Sequence, residues 1–394
     1  MISEKMKAYV AGSSAIRAMF EEGKKMAEKY GAENVYDYSL GNPSIPAPER
    51  VKEAIIEVLN EENSLVVHGY MNNSGYEDVR ETIAESINKK QGTNFSMKNI
   101  IMTVGAAGGL NVILKTFLNP GDEVIVFVPY FGEYRSYVAN FDGKIVEVET
   151  DDQFMIDAKK LEAAVTPKTK AVIVNNPNNP TGVVYSEEVI KAMAEVLAAK
   201  EKEYGTSIYL ISDEPYRELA YGVDVPYLTK YYKNTIVGYS YSKSLSLPGE
   251  RIGYLVIPSE IDSFEDVLSA ANTANRILGY VNAPSLMQKV IAKCVDEKCE
   301  VEKYRKNGEY LYDNLVKFGF SAVKPQGAFY LFLKSPVEDE KEFVSKAKEF
   351  NLLLVPGSSF GKSGYVRLAY CVSFDTVKNS MPAFEKLAKA YNLI

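Results

Sequence analysis

The chain alternates short apolar runs with longer amphipathic segments from about residue 99 onward. Runs such as EVIVFV and AVIV have apolar residues at successive positions, as strands do when both faces of their sheet are buried. These runs predict strands at Asn99–Thr103, Glu123–Val128, Lys144–Val148, Ala171–Asn175, Ile208–Ser212, Thr235–Gly238 and Ile252–Ile257. Helical periodicity predicts intervening helices such as Leu110–Leu118, Tyr134–Phe141 and Glu187–Glu203. Strands that alternate with helices predict an α/β fold built on a mostly parallel, seven-stranded sheet.

The pattern changes after about residue 284. A continuous helical pattern predicts one long helix over Ser285–Phe318, and a final helix is predicted from Thr376 to Tyr391. Between these helices, short strands are predicted near Phe329–Leu333, Leu352–Val355 and Tyr365–Ala369. We expect a smaller α+β domain here, which the first part of the chain joins because the large sheet begins later. The predicted division is a large α/β domain at 46–283 and a small domain made of 1–45 and 284–394.

Composition and charge exclude several classes of function. The 394-residue chain has a formal net charge of −7 and a pI near 5.2, which disfavours binding to nucleic acid or to an anionic membrane. No apolar run approaches the length of a membrane span, and the charged N-terminal stretch does not fit a signal peptide. Three cysteines without a CxxC spacing argue against disulfides and zinc sites and favour a reducing, cytoplasmic location. The single histidine, His68, argues against a histidine-based triad or metal site.

Four polar segments stand out against this background. NNPNNPTG at 175–182 follows the run AVIV, and SDEPY at 212–216 follows IYLI. The other two are SYSKSLSLPGERIG at 240–253 and YVRLA at 365–369. Ligands of open α/β sheets bind outside the carboxyl ends of the strands, which is where polar segments that follow strands must lie. The sequence therefore predicts a ligand site at that edge of the sheet.

The residue types in these segments suit an anionic aromatic cofactor. Asp213 is placed to pair with a protonated ring nitrogen, and Lys243 has the chemistry to form a Schiff base. Ser240 and Arg251 offer a hydroxyl and a guanidinium to a phosphate, and GAAGG at Gly105–Gly109 opens a helix whose N-terminus favours an anion. Taken singly, each motif also fits a turn, a solvated loop, a helix cap or tight packing. Their combination in this order indicates the cofactor site.

Together, these segments resemble the signatures of the class I and II aminotransferases, the fold-type I pyridoxal-phosphate enzymes. The resemblance runs from LGNPSIPAP at residues 40–48 to the final helix. The lysine segment is similar to that of the aspartate and aromatic aminotransferase branch. The resemblance implies pyridoxal 5'-phosphate as the cofactor, a homodimer with shared active sites, and amino transfer between an L-amino acid and a 2-oxo acid.

The resemblance implies a role for each residue around the cofactor ring. Lys243 would form the Schiff base and then act as the general base that moves the substrate Cα proton. Asp213 would pair with the pyridine nitrogen, and Tyr216 and Asn179 would hydrogen-bond the 3-oxygen of the ring. Phe131 would stack on the ring face, although an ordinary core position also fits this aromatic residue.

Further roles concern the phosphate and the substrate. Phosphate contacts are implied for Gly105, Ala106, Ser240 and Arg251. Tyr70 would reach the phosphate of the neighbouring subunit, and a plain interface position fits it as well. Arg367 would grip the substrate α-carboxylate in bidentate fashion, with Asn179 and the Gly41 backbone nearby. A turn glycine is an equally good interpretation of Gly41.

Substrate choice is encoded less directly. Aspartate-specific members of one branch place a second arginine, from the neighbouring subunit, against the side-chain carboxylate. Arg276 lies in the matching segment NRILGYVNAPS but is offset by one position, and a surface salt bridge fits it equally well. Phe131 stands where tryptophan is common, and the chain's 28 tyrosines leave room for an aromatic pocket.

The prediction is therefore aspartate as donor and 2-oxoglutarate as acceptor. Alternatives are an aromatic or other amino-acid donor, and a cysteine-S-conjugate β-lyase on the same fold, because fold does not fix reaction. A non-enzymatic ligand sensor of the kind fused to transcription regulators is disfavoured by the acidic charge and the lack of an N-terminal winged-helix pattern.

Overall fold

A computed structural model describes residues 2–11 and 15–394. Residues 1 and 12–14, which belong to the predicted small-domain segment 1–45, lie outside the described residues. The helices are α1 (Glu4–Ala11), α2 (Ala15–Tyr30), α3 (Glu49–Glu61), α4 (Ser64–Val67), α5 (Glu77–Gln91), α6 (Gly105–Phe117), α7 (Glu133–Asn140), α8 (Ala158–Ala164), α9 (Glu187–Tyr204), α10 (Tyr241–Ser244), α11 (Phe264–Ile277), α12 (Ser285–Cys294), α13 (Val301–Lys317), α14 (Glu340–Lys348) and α15 (Phe374–Ala390). None of these helices is long and apolar enough to cross a bilayer.

The strands are β1 (Tyr36–Asp37), β2 (Ile100–Thr103), β3 (Glu123–Val128), β4 (Lys144–Glu149), β5 (Thr169–Asn175), β6 (Tyr209–Asp213), β7 (Thr235–Ser240), β8 (Gly253–Val256), β9 (Tyr330–Lys334), β10 (Leu352–Leu353), β11 (Val355–Pro356) and β12 (Tyr365–Ala369). Seven of them form the large sheet, in the order β2-β8-β7-β6-β5-β3-β4. Strand β8 is antiparallel to both of its neighbours, and the pairs among β7, β6, β5, β3 and β4 are parallel. The predicted mostly parallel, seven-stranded sheet is confirmed.

Helices cover both faces of this sheet because its strands are apolar on both sides. Ile101 and Ile236 point to the face covered by α6 and α11. Their neighbours Ile100 and Val237 point to the opposite face, which α5 and α12 cover. Because both faces of these strands are buried, their sequences are continuous apolar runs and do not alternate between apolar and polar residues. Apolar burial of this kind is the main stabilising contribution to such a fold.

The C-terminal part of the chain forms two smaller sheets. Strands β11, β12 and β9 make a three-stranded antiparallel sheet, and β1 pairs in parallel with β10. The pairing of β1 with β10 brings the first part of the chain against the C-terminal part, as the predicted small domain requires. The single strand predicted at Leu352–Val355 is divided in the structure, because its two ends pair in different sheets. The domain boundaries themselves stay a prediction.

The prediction of one helix over Ser285–Phe318 is wrong. The structure has two helices here, α12 and α13, separated by an irregular segment. That segment is held by tertiary hydrogen bonds. The Cys299 N–H donates to the Ser244 carbonyl (3.0 Å), and Lys90 Nζ donates to the Val295 carbonyl (3.0 Å). These long-range contacts override a local pattern that favours a continuous helix.

Candidate functional site

Polar side chains collect where three neighbouring parallel strands end. Asn175 is the last residue of β5, Asp213 the last of β6 and Ser240 the last of β7. Asn175 and Asp213 are paired directly in the sheet register. The sheet thus places the ends of three predicted motifs at one edge, as the α/β topology requires.

A cavity of about 280 Å³ opens at this edge. We call it the lysine cavity. The predicted site residues that line it are Gly41, Ala106, Phe131, Asn179, Asp213, Tyr216, Ser240, Lys243, Arg251 and Arg367. One chain therefore brings together most of the residues that the sequence singled out, although they are spread over more than 300 positions.

Lys243 lies in the short helix α10, which follows directly after β7. Its Nζ donates a hydrogen bond to the Gly41 carbonyl (2.6 Å) and lies 5.3 Å from the centre of the Phe329 ring. Burial, assisted by the nearby cations Arg367 and Arg251, lowers the pKa of Lys243 to about 8. The lysine is therefore an amine that is readily deprotonated near neutral pH.

Asp213 is a buried carboxylate with one free oxygen. Its Oδ2 accepts a hydrogen bond from the Tyr134 hydroxyl (2.5 Å), while Oδ1 is enclosed and has no hydrogen-bond partner among the described residues. Burial raises the pKa of Asp213 to about 7, and Tyr134 opposes that increase. A buried acceptor without a partner costs free energy, so this oxygen suits a ligand that brings an N–H donor or a positive charge.

Arg367 lies in β12 and is 2% exposed. Nη1 donates to Asn179 Oδ1 (3.2 Å) and Nη2 donates to the Ser39 carbonyl (2.6 Å), but the buried Nε has no partner among the described residues. The guanidinium also lies 4.6 Å from the centre of the Tyr330 ring. No carboxylate within the described part of the chain forms a salt bridge with it. A cation held in this way is available to an anionic ligand.

A tyrosine pair lies beside this arginine. The hydroxyls of Tyr216 and Tyr330 are 2.9 Å apart, and Asn179 Nδ2 donates to the Tyr216 hydroxyl (3.4 Å). Burial raises the pKa of both tyrosines, so both remain neutral phenols at physiological pH. The pair and the amide thus present neutral donors and acceptors between the lysine and the arginine.

The predicted phosphate corner is assembled beside two neighbouring strands of the large sheet, β2 and β8. Helix α6 begins at Gly105, directly after β2, and Arg251 precedes β8, the neighbouring strand. Gly105 has a positive φ of 74°, and a Cβ built there would approach Arg251 Nη2 to 2.8 Å. Only glycine fits this position without strain. The helix N-terminus, Ala106, Ser240 and the guanidinium of Arg251 together form a region that favours an anion.

Three predicted residues are not among those that line the lysine cavity of their own chain. Tyr70 follows α4 and is 93% exposed, and Arg276 is exposed near the end of α11. Neither side chain is among those that line the cavity. Gly105 does not line it directly either, but it contacts the region through Arg251. The roles implied for Tyr70 and Arg276 therefore require a second copy of the chain.

The structure adds three residues that the sequence did not single out. Tyr134 donates to Asp213, Tyr330 contacts Tyr216, and Asn175 donates from Nδ2 to the Asp213 carbonyl (2.9 Å). Tyr134 follows PYFG at the carboxyl end of β3, a position that could have marked it as a site residue. Tyr330 fits an ordinary strand residue, and no local pattern distinguishes it.

Comparison with known proteins extends these observations. A profile of the family described as aminotransferase class I and II matches residues 32–383. The chain is 33% identical over 362 residues to the aspartate/prephenate aminotransferase of Thermus thermophilus, covering 89% of this chain and 90% of that protein. It is 33% identical over 399 residues to the aspartate aminotransferase of Geobacillus stearothermophilus, covering 96% of each. It is 31% identical over 395 residues to aromatic-amino-acid aminotransferase 2 of Thermococcus litoralis, covering 97% of each.

Solved structures are similar over the whole chain. An aminotransferase from Eubacterium rectale has a TM-score of 0.97 and 46% sequence identity, with both chains covered completely. The aspartate aminotransferase of Thermus thermophilus with maleate has a TM-score of 0.87 and 28% identity, covering 98% of this chain and 99% of that one. The similarity therefore includes the small sheets as well as the large one.

Proposed function

The chain belongs to the class I and II aminotransferases, and from that premise we propose that it uses pyridoxal 5'-phosphate to transfer the amino group of L-aspartate to 2-oxoglutarate. One observation carries the proposal. A single cavity contains a free buried carboxylate oxygen on Asp213, a free guanidinium nitrogen on Arg367 and the lysine amine of Lys243. An amino acid bound beside a pyridine-type cofactor would supply the partners that the Asp213 oxygen and the Arg367 nitrogen lack.

The residues present fit the cofactor. Asp213 offers the acceptor that a protonated ring nitrogen needs, and Phe131 offers an aromatic surface in the same cavity. Gly105 and Arg251, together with Ser240, offer the anion site that a phosphate needs. When bound, pyridoxal phosphate supplies an aldehyde that condenses with amines and a ring that delocalises the electron pair left at Cα.

The chain's own groups would position the substrate and move its proton. Arg367 and Asn179 would bind the α-carboxylate, which fixes the direction of the Cα–H bond. A pKa of about 8 leaves roughly a tenth of Lys243 as free amine at pH 7, enough to remove the Cα proton and return it at a neighbouring carbon. Tyr216 and Tyr330 remain neutral and would hold hydrogen bonds without competing for that proton.

The position of Tyr70 supports a homodimer. Tyr70 follows α4, and large hydrophobic side chains are also exposed in α4 (Leu65 and Val66) and in the contacting helix α3 (Ile56 and Leu59). Clustered apolar exposure of this kind is typical of protein interfaces. We propose that two copies associate through this surface and that Tyr70 reaches the phosphate corner of the partner. Three buried free thiols support a cytoplasmic location.

The names of several relatives favour aspartate as the amino-group donor, whereas one feature of the cavity favours an aromatic amino acid as the donor. Leu40, Phe131, Tyr137 and Tyr330 give its wall an apolar and aromatic character. Arg276 would have to approach from the partner subunit to bind the side-chain carboxylate of aspartate. An aromatic amino acid needs only the wall that one chain already provides.

A single-turnover titration separates these possibilities. The protein, loaded with pyridoxal phosphate, is mixed with L-aspartate, L-tyrosine or L-alanine, and the absorbance of the aldehyde form of the cofactor is followed. Aspartate is expected to convert it to the amine form with release of oxaloacetate, identified by mass spectrometry. If tyrosine is the only amino acid that converts the cofactor to its amine form, the donor is aromatic. Release of pyruvate, ammonia and a thiol from an S-substituted L-cysteine, added as a further substrate, without conversion of the cofactor would assign the β-lyase reaction. No reaction with any of these amino acids would contradict the enzyme proposal.

A further inference from the structure

A second cavity, of about 590 Å³, lies on the other side of helix α10. Tyr241 and Ser244 line this cavity, whereas Ser242 and Lys243 line the lysine cavity. The helix is therefore a thin wall between the two. We call the second cavity the tyrosine cavity, after the tyrosines that line it or the adjoining void of about 40 Å³ at its inner end: Tyr227, Tyr231, Tyr239, Tyr241 and Tyr254.

Several phenol groups in this region have no protein partner. Tyr227, Tyr241 and Tyr254 are 5%, 4% and 8% exposed, and no described residue forms a hydrogen bond with their hydroxyls. Tyr239 differs, because its hydroxyl donates to Ser244 Oγ (2.9 Å). Burial raises the pKa of the three unpartnered tyrosines, so each is a neutral group that both donates and accepts. The oxygens of these phenols are not fully enclosed and have no protein partner, so they are open to a molecule bound in the cavity.

Glu218 contributes a carboxyl group to the tyrosine cavity and to the void at its inner end. Its Oε2 is enclosed and has no hydrogen-bond partner among the described residues. The neighbouring acid, Glu214, is paired with Arg217, whose Nη1 and Nη2 also donate to backbone carbonyls at 2.9 Å each. Lys90 is paired with Asp296 (3.0 Å). None of these cations forms a salt bridge with Glu218 within the described part of the chain. Burial raises the pKa of Glu218, and the Tyr239 hydroxyl, Arg217 and Lys90 oppose that increase.

We propose that the tyrosine cavity binds a small organic cation that carries N–H donors, such as a primary ammonium or a guanidinium group. Its positive charge would compensate Glu218, and its N–H groups would satisfy the oxygens of Tyr241 and Tyr254. The volume is in the range of small-molecule sites. An anion is disfavoured because the inner wall carries the Glu218 carboxyl group, whose enclosed Oε2 has no partner among the described residues, while the exposed rim has both signs, as in Asp224 and Lys298.

The site also differs from the lysine cavity in what it recognises. The lysine cavity contains an unpartnered guanidinium nitrogen on Arg367 as well as an unpartnered oxygen on Asp213, whereas the enclosed unpartnered atom in the tyrosine cavity is a carboxyl oxygen of Glu218. Ser244 follows Lys243 in α10 and lines the tyrosine cavity, where its Oγ accepts from Tyr239. A cation bound behind α10 would therefore contact the element that holds Lys243 without entering the lysine cavity.

Calorimetric titration tests the proposal. Methylguanidinium chloride is titrated into the full chain purified with pyridoxal phosphate, at constant chloride concentration. This cation does not condense with the cofactor aldehyde as an amine does. We expect saturable binding with one site per chain. Glu218→Gln is expected to weaken binding about tenfold or more, because a charge-assisted hydrogen bond is lost. The matched control Asp224→Asn, at the exposed rim, is expected to leave the affinity within about twofold.

Two further measurements cover the case in which Glu218→Gln fails to fold. Tyr241→Phe and Tyr254→Phe each remove one unpartnered hydroxyl and keep the packed ring, so both variants should fold and bind about threefold more weakly or worse. Tetramethylammonium, which has the charge but no N–H donor, should bind about tenfold more weakly than methylguanidinium. The proposal is overturned by an absence of saturable binding to the wild-type chain. Equal affinity in the folded Glu218 variant or in both phenylalanine variants, or equal binding of tetramethylammonium, overturns it as well.

Discussion

Replacing Asp213 by asparagine should stabilise the protein when the cofactor is absent and reduce the stabilisation that the bound cofactor provides. In the ligand-free state the carboxylate is 4% exposed and its Oδ1 has no partner among the described residues. Burial raises the pKa from 3.8 to about 7, so the folded protein binds a proton that the unfolded chain releases at lower pH. The stability of the ligand-free wild type is therefore lost as the pH rises from about 4 to about 7.

The magnitude follows from that shift. A rise in pKa from 3.8 to about 7 corresponds to roughly 4 kcal/mol of unfolding free energy lost above pH 7. The asparagine side chain would not titrate, but its amide would leave one buried group unpaired at a cost of about 1–3 kcal/mol. The net expectation for Asp213→Asn is a gain of about 1–3 kcal/mol near pH 7.5. The gain should shrink by roughly 2 kcal/mol near pH 5, where the wild-type carboxyl is protonated when folded.

Urea unfolding followed by circular dichroism at several pH values and one fixed protein concentration measures the effect. Asp262→Asn is a control of opposite sign, because Asp262 accepts from Lys233 Nζ (2.5 Å) and Asn234 Nδ2 (2.9 Å), which lower its pKa. That variant should lose stability near pH 7.5. With pyridoxal phosphate bound, Asp213→Asn should lose most of the cofactor's stabilising effect. A ligand-free Asp213→Asn protein that is less stable than wild type at every pH would refute the reasoning.

Three further predictions concern the other groups of the lysine cavity. Lys243→Ala should abolish amino transfer while still binding pyridoxal phosphate noncovalently; turnover near the wild-type level would exclude this lysine as the base. In the wild type, the single-turnover rate should rise as the pH passes about 8, because burial lowers the lysine pKa to that value. Arg367→Ala should lower kcat/KM for the donor amino acid, mainly through KM, by the equivalent of roughly 2–5 kcal/mol; an unchanged KM would remove Arg367 from the substrate site. Gly105→Ala should weaken cofactor binding about tenfold, as measured by equilibrium titration, because its Cβ would meet Arg251 and its φ is positive; unchanged affinity would show that this corner does not bind the phosphate.

The sequence predicts the large sheet well because most of its strands are local apolar runs, with β4 (KIVEVE) as an alternating exception. Prediction from the sequence fails where tertiary contacts determine the local structure. The break between α12 and α13 depends on the Cys299 N–H and the Ser244 carbonyl, which are far apart in sequence. No local pattern reveals that hydrogen bond, and the residues around the break are compatible with a helix.

In the site, too, residues set by local pattern are predictable and residues set by tertiary packing are not. Asp213 and Lys243 lie directly after strands and are therefore predictable, since the topology brings strand ends together. Tyr134 and Tyr330 enter the site through side-chain packing, which the sequence does not specify. Tyr70 and Arg276 face outward, so their assignment depends on a second chain that no single-chain pattern describes.

The position of β8 has a consequence for how the protein is made. Strand β2 is an edge strand of the large sheet, entirely buried, and its only sheet partner among the described strands is β8. That partner is synthesised about 150 residues later, which at 5–20 residues per second takes roughly 10–30 s. During this interval the segment IIMT emerges from the ribosome with its backbone unpaired. Slowed translation between these two strands should therefore increase aggregation of the nascent chain, whereas a pause after β8 should not.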